Sequence, residues 1–325
     1  MRAHAREIFA AGVKSADPLA AVKRHADVTG EVLRVDGRGY DLATIDNIFV
    51  IGCGKAAAQM ALALQDIIGA KITDGIVVVK YGHGLSLKKI KVVKAGHPIP
   101  DQAGVAAARQ VIEIVSRAGG ADLILFVISG GGSALLPMPA DGLTLEDKRQ
   151  TTEALLASGA TIQEINALRK HLSGLKGGRL AELAYPANTV SLILSDVVGD
   201  RLDAIASGPT VGDSTTFEDC LEIVRRNDLR GKIPPAVLDL LERGARGEVA
   251  ETPKPSAAVF QKVQNVIVGS NRMAIAAAQQ QAAALGYHSQ VLSGNIEGES
   301  RAVASSHSAR IKEILRRDQS ASQPL

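Results

Sequence analysis

Residues 122–136 read DLILFVISGGGSALL. From Leu123 to Ile128 the run is apolar without interruption, so it has no polar face and fits a strand covered on both sides of a sheet. It passes straight into Ser129, three glycines and Ser133. Consecutive glycines cost conformational entropy, and they are useful where backbone must approach a ligand closely, as in a phosphate nest. The same design occurs earlier at 47–57, NIFVIGCGKAA: a strand over 47–51, a turn at Gly52-Cys53-Gly54, and an Ala/Leu-rich helix over 55–68.

Working outward, the pattern predicts further strands over 75–80, 90–94, 122–128, 189–194 and 266–268. Helices are predicted over 101–117, 143–157, 161–172, 217–226 and 236–243, with Thr144 and Asp147 spaced as an N-cap pair. Apolar strands alternating with helices give an α/β class: a Rossmann-like doubly wound, mostly parallel sheet with helices on both faces. The start reads as one helix to about Ala26, carrying Ile8, Val13, Leu19 and Val22. A polar hairpin follows, turning on Asp36-Gly37-Arg38-Gly39. Residues 288–292 and 301–317 read as a last strand and helix, and 244–255 as a surface excursion. One large domain is expected over 1–317, with 318–325 a linker or the start of a further domain.

The formal charge is +3, from 37 basic and 34 acidic residues, which leaves no electrostatic footprint for nucleic acid or an anionic membrane. There is no Trp, which argues against base-stacking platforms. Two cysteines, Cys53 and Cys220, make no disulfide framework and fit a reducing cytoplasm. The amphipathic start lacks the apolar core of a signal peptide, and no apolar run is long enough to span a bilayer.

In open α/β sheets ligands sit beyond the carboxyl ends of the strands, which selects 52–55, 80–84, 129–133, 195–200 and 269–271. Gly52 to Ala57 fits a dinucleotide turn, but the next strand ends in Lys80-Tyr81 where an acid should hold a ribose, and Asp74 precedes that strand. It is not a Walker A loop. What remains is a helix N-terminus with Lys55 on its first turn, which favours an anion, against the plain alternative of a packing turn with a solvated lysine. Gly52, Gly54, Ser129, Gly130, Gly131, Gly132, Ser133 and Asn271 are the candidate nucleotide contacts. The segment 169–179 concentrates Arg169, Lys170, His171, Lys176 and Arg179. It reads equally as an anion clamp or as a solvated helix end. Asp196, after a buried strand, suits a Mg²⁺ ligand or a base that takes a hydroxyl proton, and Asp200 is a second metal candidate. His83 and His97 are lone loop histidines, a type more often structural. No zinc spacing and no serine-hydrolase elbow is present.

These blocks, GCGKAA (52–57), VVVKYGHG (77–84), AGHPIPD (95–101), SGGGSALL (129–136), INALRKHLSGLKGGRLA (165–181), LSDVVGD (194–200), ASGPT (206–210) and VGSN (268–271), resemble in order the class II glycerate kinase family. The resemblance implies Mg²⁺-dependent transfer from ATP to D-glycerate, giving 2-phosphoglycerate, with Lys55 at the active site. Under it, Lys55 and Gly130 to Gly132 meet phosphoryl oxygens, Ser129 and Ser133 donate hydrogen bonds, and Asp196 holds Mg²⁺ or orients the hydroxyl. One of Arg169, Lys170 or Lys176 pairs with the glycerate carboxylate. The family fold implies a second, smaller domain beyond this point that adds an arginine to the cleft, so a fragment and a short form are both open. Two rivals stand beside the kinase. One is an NAD(P)H-dependent hydroxypyruvate reductase, with Lys80 meeting a 2′-phosphate and His83 or His97 as proton donor. The other is a non-catalytic ligand-binding domain. The expected partner is a small hydroxy acid, with no nucleic acid and no membrane, and the oligomeric state is open.

Overall fold

The computed structural model describes residues 1–317; the segment 318–325, expected as a linker or the start of a further domain, lies outside the described residues. In chain order the elements are α1 (Arg2–Ser15), α2 (Pro18–His25), β1 (Ala26–Thr29), β2 (Val32–Val35), β3 (Arg38–Asp41), β4 (Ile48–Cys53), α3 (Ala57–Ile68), β5 (Ile72–Lys80) and β6 (Lys91–Ala95). They continue with α4 (Gln102–Val115), β7 (Leu123–Ser129), α5 (Gly132–Leu135), α6 (Leu145–Ala157), α7 (Ile162–His171), α8 (Arg179–Ala184) and β8 (Asn188–Leu194). Last come α9 (Phe217–Arg226), α10 (Pro235–Ala245), β9 (Val263–Gly269), α11 (Asn271–Ala284) and α12 (Ser300–Arg317). They fall into two compact units. The smaller holds 1–17, 198–200 and the described residues from 269 to 317, and the larger holds 18–197 and 201–268.

The larger unit is built on a six-stranded sheet ordered β6-β5-β4-β7-β8-β9, and β4 pairs in parallel with both β5 and β7. Successive residues of a strand face opposite sides, and here both sides are covered. Val50, Leu125 and Val127 enter a core with Ala58, Ala61 and Leu64 of α3 and Val22 of α2. Ile51, Ile124 and Phe126 enter another with Ala107 and Val111 of α4 and Leu180 of α8. That is why β7 is apolar throughout rather than alternating. Each fully buried side chain of this size contributes about 1.5–3 kcal/mol before entropy is charged, so these two cores dominate the stability of the unit. A third, purely helical cluster joins α6, α7, α9 and α10 around Leu155, Leu168, Phe217 and Leu241. The helices begin where their caps dictate: Thr144 with Asp147, Thr161 with Glu164 and Thr216 with Asp219 each form a reciprocal capping box. In this order the chain runs outward from β4 in both directions, so the crevice between β4 and β7 is the topological switch point, where doubly wound sheets bind ligands.

In the smaller unit α1 lies on α11, close enough that a β-carbon at Gly12 would meet the Ala274 carbonyl oxygen at 3.1 Å. His4 Nδ1 and the Tyr287 hydroxyl are hydrogen-bonded at 2.8 Å.

Several expectations are corrected. The N-terminal helix is two helices, because the residue before Pro18 is pushed out of the helical region. The hairpin turns on Asp36 and Gly37 alone, both at positive φ, with Val35 paired to Arg38, and β1 adds a third antiparallel strand. Residues 288–292 are exposed and form no strand: without a neighbouring strand, extended backbone has nothing to pair with. The excursion after α10 is pinned back, since the Thr252 hydroxyl donates to Asp213 (3.2 Å) and the Asp213 N–H donates to the Pro253 carbonyl (2.9 Å). No helix among the described residues is long and apolar enough to cross a membrane.

Candidate active site

At the switch point the two glycine loops interlock. Gly54 is at φ +128°, and a β-carbon there would collide with the Ser129 hydroxyl and lie 2.5 Å from the Ser129 carbonyl oxygen. The Lys55 N–H donates to the Gly130 carbonyl (2.9 Å), and the Ala56 N–H donates to Ser129 Oγ (3.0 Å). Ser129 is 1% exposed, so its oxygen, expected at a ligand, ties one loop to the other. Gly52 is also a packing residue, since a β-carbon there would lie 2.8 Å from the Val127 carbonyl. Beyond this joint α3 starts at Ala57 with no side-chain cap and no acid in its first turn. The N–H groups of Ala57 and Gln59 donate to the carbonyls of Gly54 (3.2 Å) and Ala56 (3.1 Å), so what the start of α3 offers an anion is chiefly its dipole, with the exposed Lys55 beside it.

Five side chains crowd the triglycine. The Asp196 carboxylate sits on Gly130, with Cγ 2.5 Å from where a β-carbon would be. Gly131, at φ +89°, faces the His97 ring (Cδ2 2.8 Å, Nε2 2.9 Å) and Lys55 Cε (3.6 Å) from the same hypothetical atom. Gly132 faces Cys53 Sγ (2.8 Å) and Ala206 Cβ (2.9 Å). Lys55, His97 and Asp196, which end three different strand segments, thus converge on one stretch of bare backbone. His97 Nδ1 is buried and has no hydrogen-bond partner among the described residues. Burial, together with Lys55 and Lys80, lowers the His97 pKa from its ordinary value, with Asp196 opposing, so the ring is neutral at pH 7. Burial pushes the Cys53 thiol up to about 11 against the pull of Lys176, which keeps it protonated and excludes it as a nucleophile at neutral pH.

Ser133 and Ser207 hydroxyls are hydrogen-bonded at 3.0 Å, and the Ser207 hydroxyl reaches Asn166 at 3.3 Å. Ala206, Ser207 and Gly208 are all left-handed, at φ +51°, +61° and +59°. The Gly177 N–H to the Ser207 carbonyl (3.0 Å) and the Gly178 N–H to the Gly208 carbonyl (2.8 Å) hold them there. A non-glycine residue in that region costs about 1–2 kcal/mol, and such strain gathers at ligand sites.

The basic segment divides. Lys170 is 3% exposed and paired with Asp213 at 3.2 Å and Asp203 at 3.7 Å, so its charge is answered inside the fold rather than offered to a substrate. His171 donates through Nδ1 to the Ala167 carbonyl (2.9 Å) and packs edge-on against Phe217. Lys176 points the other way, donating to the Leu136 carbonyl at 3.0 Å just past the triglycine helix, and burial brings its pKa down to about 8. Arg169 makes no hydrogen bond or ion pair among the described residues, and burial lowers its pKa. His97, read in the sequence as a structural type or a reductase's proton donor, lies two positions beyond β6, a strand end outside the selected windows, and Lys148, which was missed, is buried on α6 against the Met138 carbonyl (3.1 Å). Asp200 and Asn271 belong to the smaller unit, where Asp200 is at φ +53° and the Asn271 amide donates to the Gly294 carbonyl (3.0 Å). Among the described residues no group of three or more His, Cys, Asp or Glu is arranged to hold a metal.

A family model described as a domain of unknown function, DUF4147, matches residues 4–242. A glycerate 2-kinase of Pyrococcus horikoshii is 44% identical over 289 residues, which cover 89% of this chain and 64% of that protein. An Agrobacterium vitis protein with a provisional hydroxypyruvate reductase name is 47% identical over 254 residues, covering 78% of this chain and 63% of that protein. The solved structure of a Thermotoga maritima glycerate kinase matches with a TM-score of 0.82 at 34% identity, covering 97% of this chain and 70% of that one. The chain therefore spans slightly under two thirds of the length of the two sequence relatives.

Proposed function

The chain belongs to the DUF4147 family and is a homologue of glycerate kinases, and from that premise we propose that it transfers the γ-phosphoryl group of ATP to D-glycerate, giving 2-phosphoglycerate. The observation that carries the reading is the convergence of Lys55, His97 and Asp196 on Gly130 and Gly131 at the switch point. Phosphoryl transfer asks a protein for positioning and charge neutralisation rather than covalent chemistry. Lys55, the dipole at the start of α3 and the bare backbone of the triglycine answer the negative charge of the phosphates. Asp196 receives the proton of the acceptor hydroxyl or orients that hydroxyl toward the phosphorus. Neutral His97 offers a hydrogen bond without adding charge.

Mg²⁺ commonly takes only one or two protein carboxylates, with phosphate oxygens and water completing its shell. The carboxylate of Asp196 fits that habit, and as the alternative to its role at the hydroxyl Asp196 would hold the ion. The bound ion supplies neutralisation of the β- and γ-oxygens. We propose a cytoplasmic setting on the strength of two buried, unpaired cysteines.

The reductase name carried by one relative favours a second reading. Against it, β5 ends at Lys80 where a dinucleotide turn needs an acid. The two are separated by measuring ADP formation from ATP, Mg²⁺ and D-glycerate beside NADH or NADPH loss with hydroxypyruvate. Glycerate-dependent ADP release with no loss of nicotinamide absorbance is expected; the reverse pattern overturns the kinase.

A further inference from the structure

We infer that Lys148, Arg169 and Lys176 form a buried anion site that receives the carboxylate of the acceptor, so that the chain selects small hydroxy acids over uncharged polyols. The inference rests on the kinase reading for the identity of the acid and on the structure for the site. Lys148 is 8% exposed and Lys176 3%. Their ammonium groups donate to the carbonyls of Met138 (3.1 Å) and Leu136 (3.0 Å), two residues apart on the segment that leaves the triglycine helix. Carbonyl dipoles hydrogen-bond a cation but do not cancel its charge, and buried charges are normally paired. Lys170 shows what this fold does with a buried lysine that is only structural: it supplies Asp213, 0% exposed, at 3.2 Å. No carboxylate among the described residues stands within ion-pair distance of Lys148, Arg169 or Lys176.

The three cations feel one another. Burial first, then Lys176 and Arg169, bring the Lys148 pKa down; for Lys176 burial leads, Cys53 opposes it, and Arg169 adds a smaller lowering. Like charges gathered in a low dielectric without a counter-charge are unfavourable, and an arriving anion relieves all three. The place is suited to the acceptor. Lys176 is coupled to Cys53, whose sulfur lies against Gly132, while Lys55 faces Gly131. A carboxylate among the cations and a phosphoryl group beside Lys55 would therefore occupy neighbouring positions along one glycine loop. Arg169 brings the planar fork that matches a carboxylate in two parallel hydrogen bonds.

The test is isothermal titration of the parent chain, Lys148→Met, Arg169→Gln and Lys176→Met with D-glycerate, L-lactate, tartronate, glyceramide, glycerol and ATP–Mg²⁺. Carboxylate affinity should fall about tenfold or more in each variant, the scale of one lost charged contact. ATP affinity should hold within about twofold, and the parent should bind glyceramide and glycerol at least about tenfold more weakly than glycerate. Titrations at pH 8 in two buffers of different ionisation enthalpy should show proton uptake on glycerate binding, lost in Lys176→Met, because an anion raises the Lys176 pKa from about 8. Lys148→Met should melt no lower than the parent, whereas a structural role predicts a drop. Carboxylate affinity unchanged in Arg169→Gln, or ATP affinity falling in parallel, overturns the site. A parent that binds ATP but no small carboxylate also overturns it and leaves the kinase reading standing. Arg169-dependent binding of tartronate or lactate without glycerate keeps the site and removes glycerate as the acceptor.

Discussion

Replacing Gly130 by alanine tests the active-site geometry with one methyl group. The new β-carbon would overlap an Asp196 carboxylate oxygen and stand 2.5 Å from Asp196 Cγ. Ordinary contact is near 3.4 Å, so the carboxylate must retreat by about 1 Å, a displacement that can cost about 100-fold in rate when a reacting group is moved. The fold should hardly notice. Gly130 is not in the left-handed region, so alanine brings no backbone strain. Asp196 is exposed and can swing into water, at about 0.5–1.5 kcal/mol if it leaves its rotamer. Reduced freedom of the unfolded chain returns about 0.4–1 kcal/mol. We therefore expect glycerate-dependent ADP formation to fall about 100-fold, with a melting temperature within about 3 °C of the parent's. In an Asp196→Asn background the same substitution should cost little more, as a double-mutant cycle would show. Turnover within about threefold of the parent would refute the placement of Asp196 at the reacting atoms.

Lys170→Met should destabilise the chain by about 3–5 kcal/mol in urea denaturation by stranding Asp213, whereas a substrate-binding lysine would cost affinity and leave the fold intact. Ala206→Gly should raise stability by about 1 kcal/mol by relieving the left-handed strain at φ +51°; a loss in thermal melts would show that the alanine methyl against Gly132 matters more. Lys176 has a pKa near 8 when folded and 10.5 ordinarily. The unfolded chain therefore binds more protons between those values, and stability should climb from pH 8 to 10.5. At 1.4 kcal/mol per unit the full change is about 3–4 kcal/mol. Denaturation of Lys176→Met across this window should lack that rise, and an identical rise in the variant would remove Lys176 as its source.

The sheet was legible because its strands are covered on both faces: the unbroken run of β7 could be little else, and the glycines that follow it mark the crevice. Lys55 and Asp196 were selected by the position of strand ends, a rule that needs no knowledge of contacts. Three particulars escaped. His97 is one histidine in a loop, and only the fold brings it onto Gly131. Lys148 sits in LEDKRQ, a stretch that reads as a solvated helix face until α6 packs against the Met138 segment. Lys170 and Lys176 looked alike in the sequence, and what separates them is Asp213, 43 residues from Lys170. Pairing across such distances leaves no local trace, so the basic segment could be read equally as clamp or as helix end.

The joint between the glycine loops has a mechanical consequence. Ser129 is held by the amide of Ala56 while Gly130 holds the amide of Lys55. A pull on either loop is thus transmitted to the other through one backbone bond and the Ser129 hydroxyl. The two therefore form a rigid plate rather than a pair of independent flaps. A ligand resting on one end of the plate should slow hydrogen exchange at 54–57 and 129–133 together and to a similar degree.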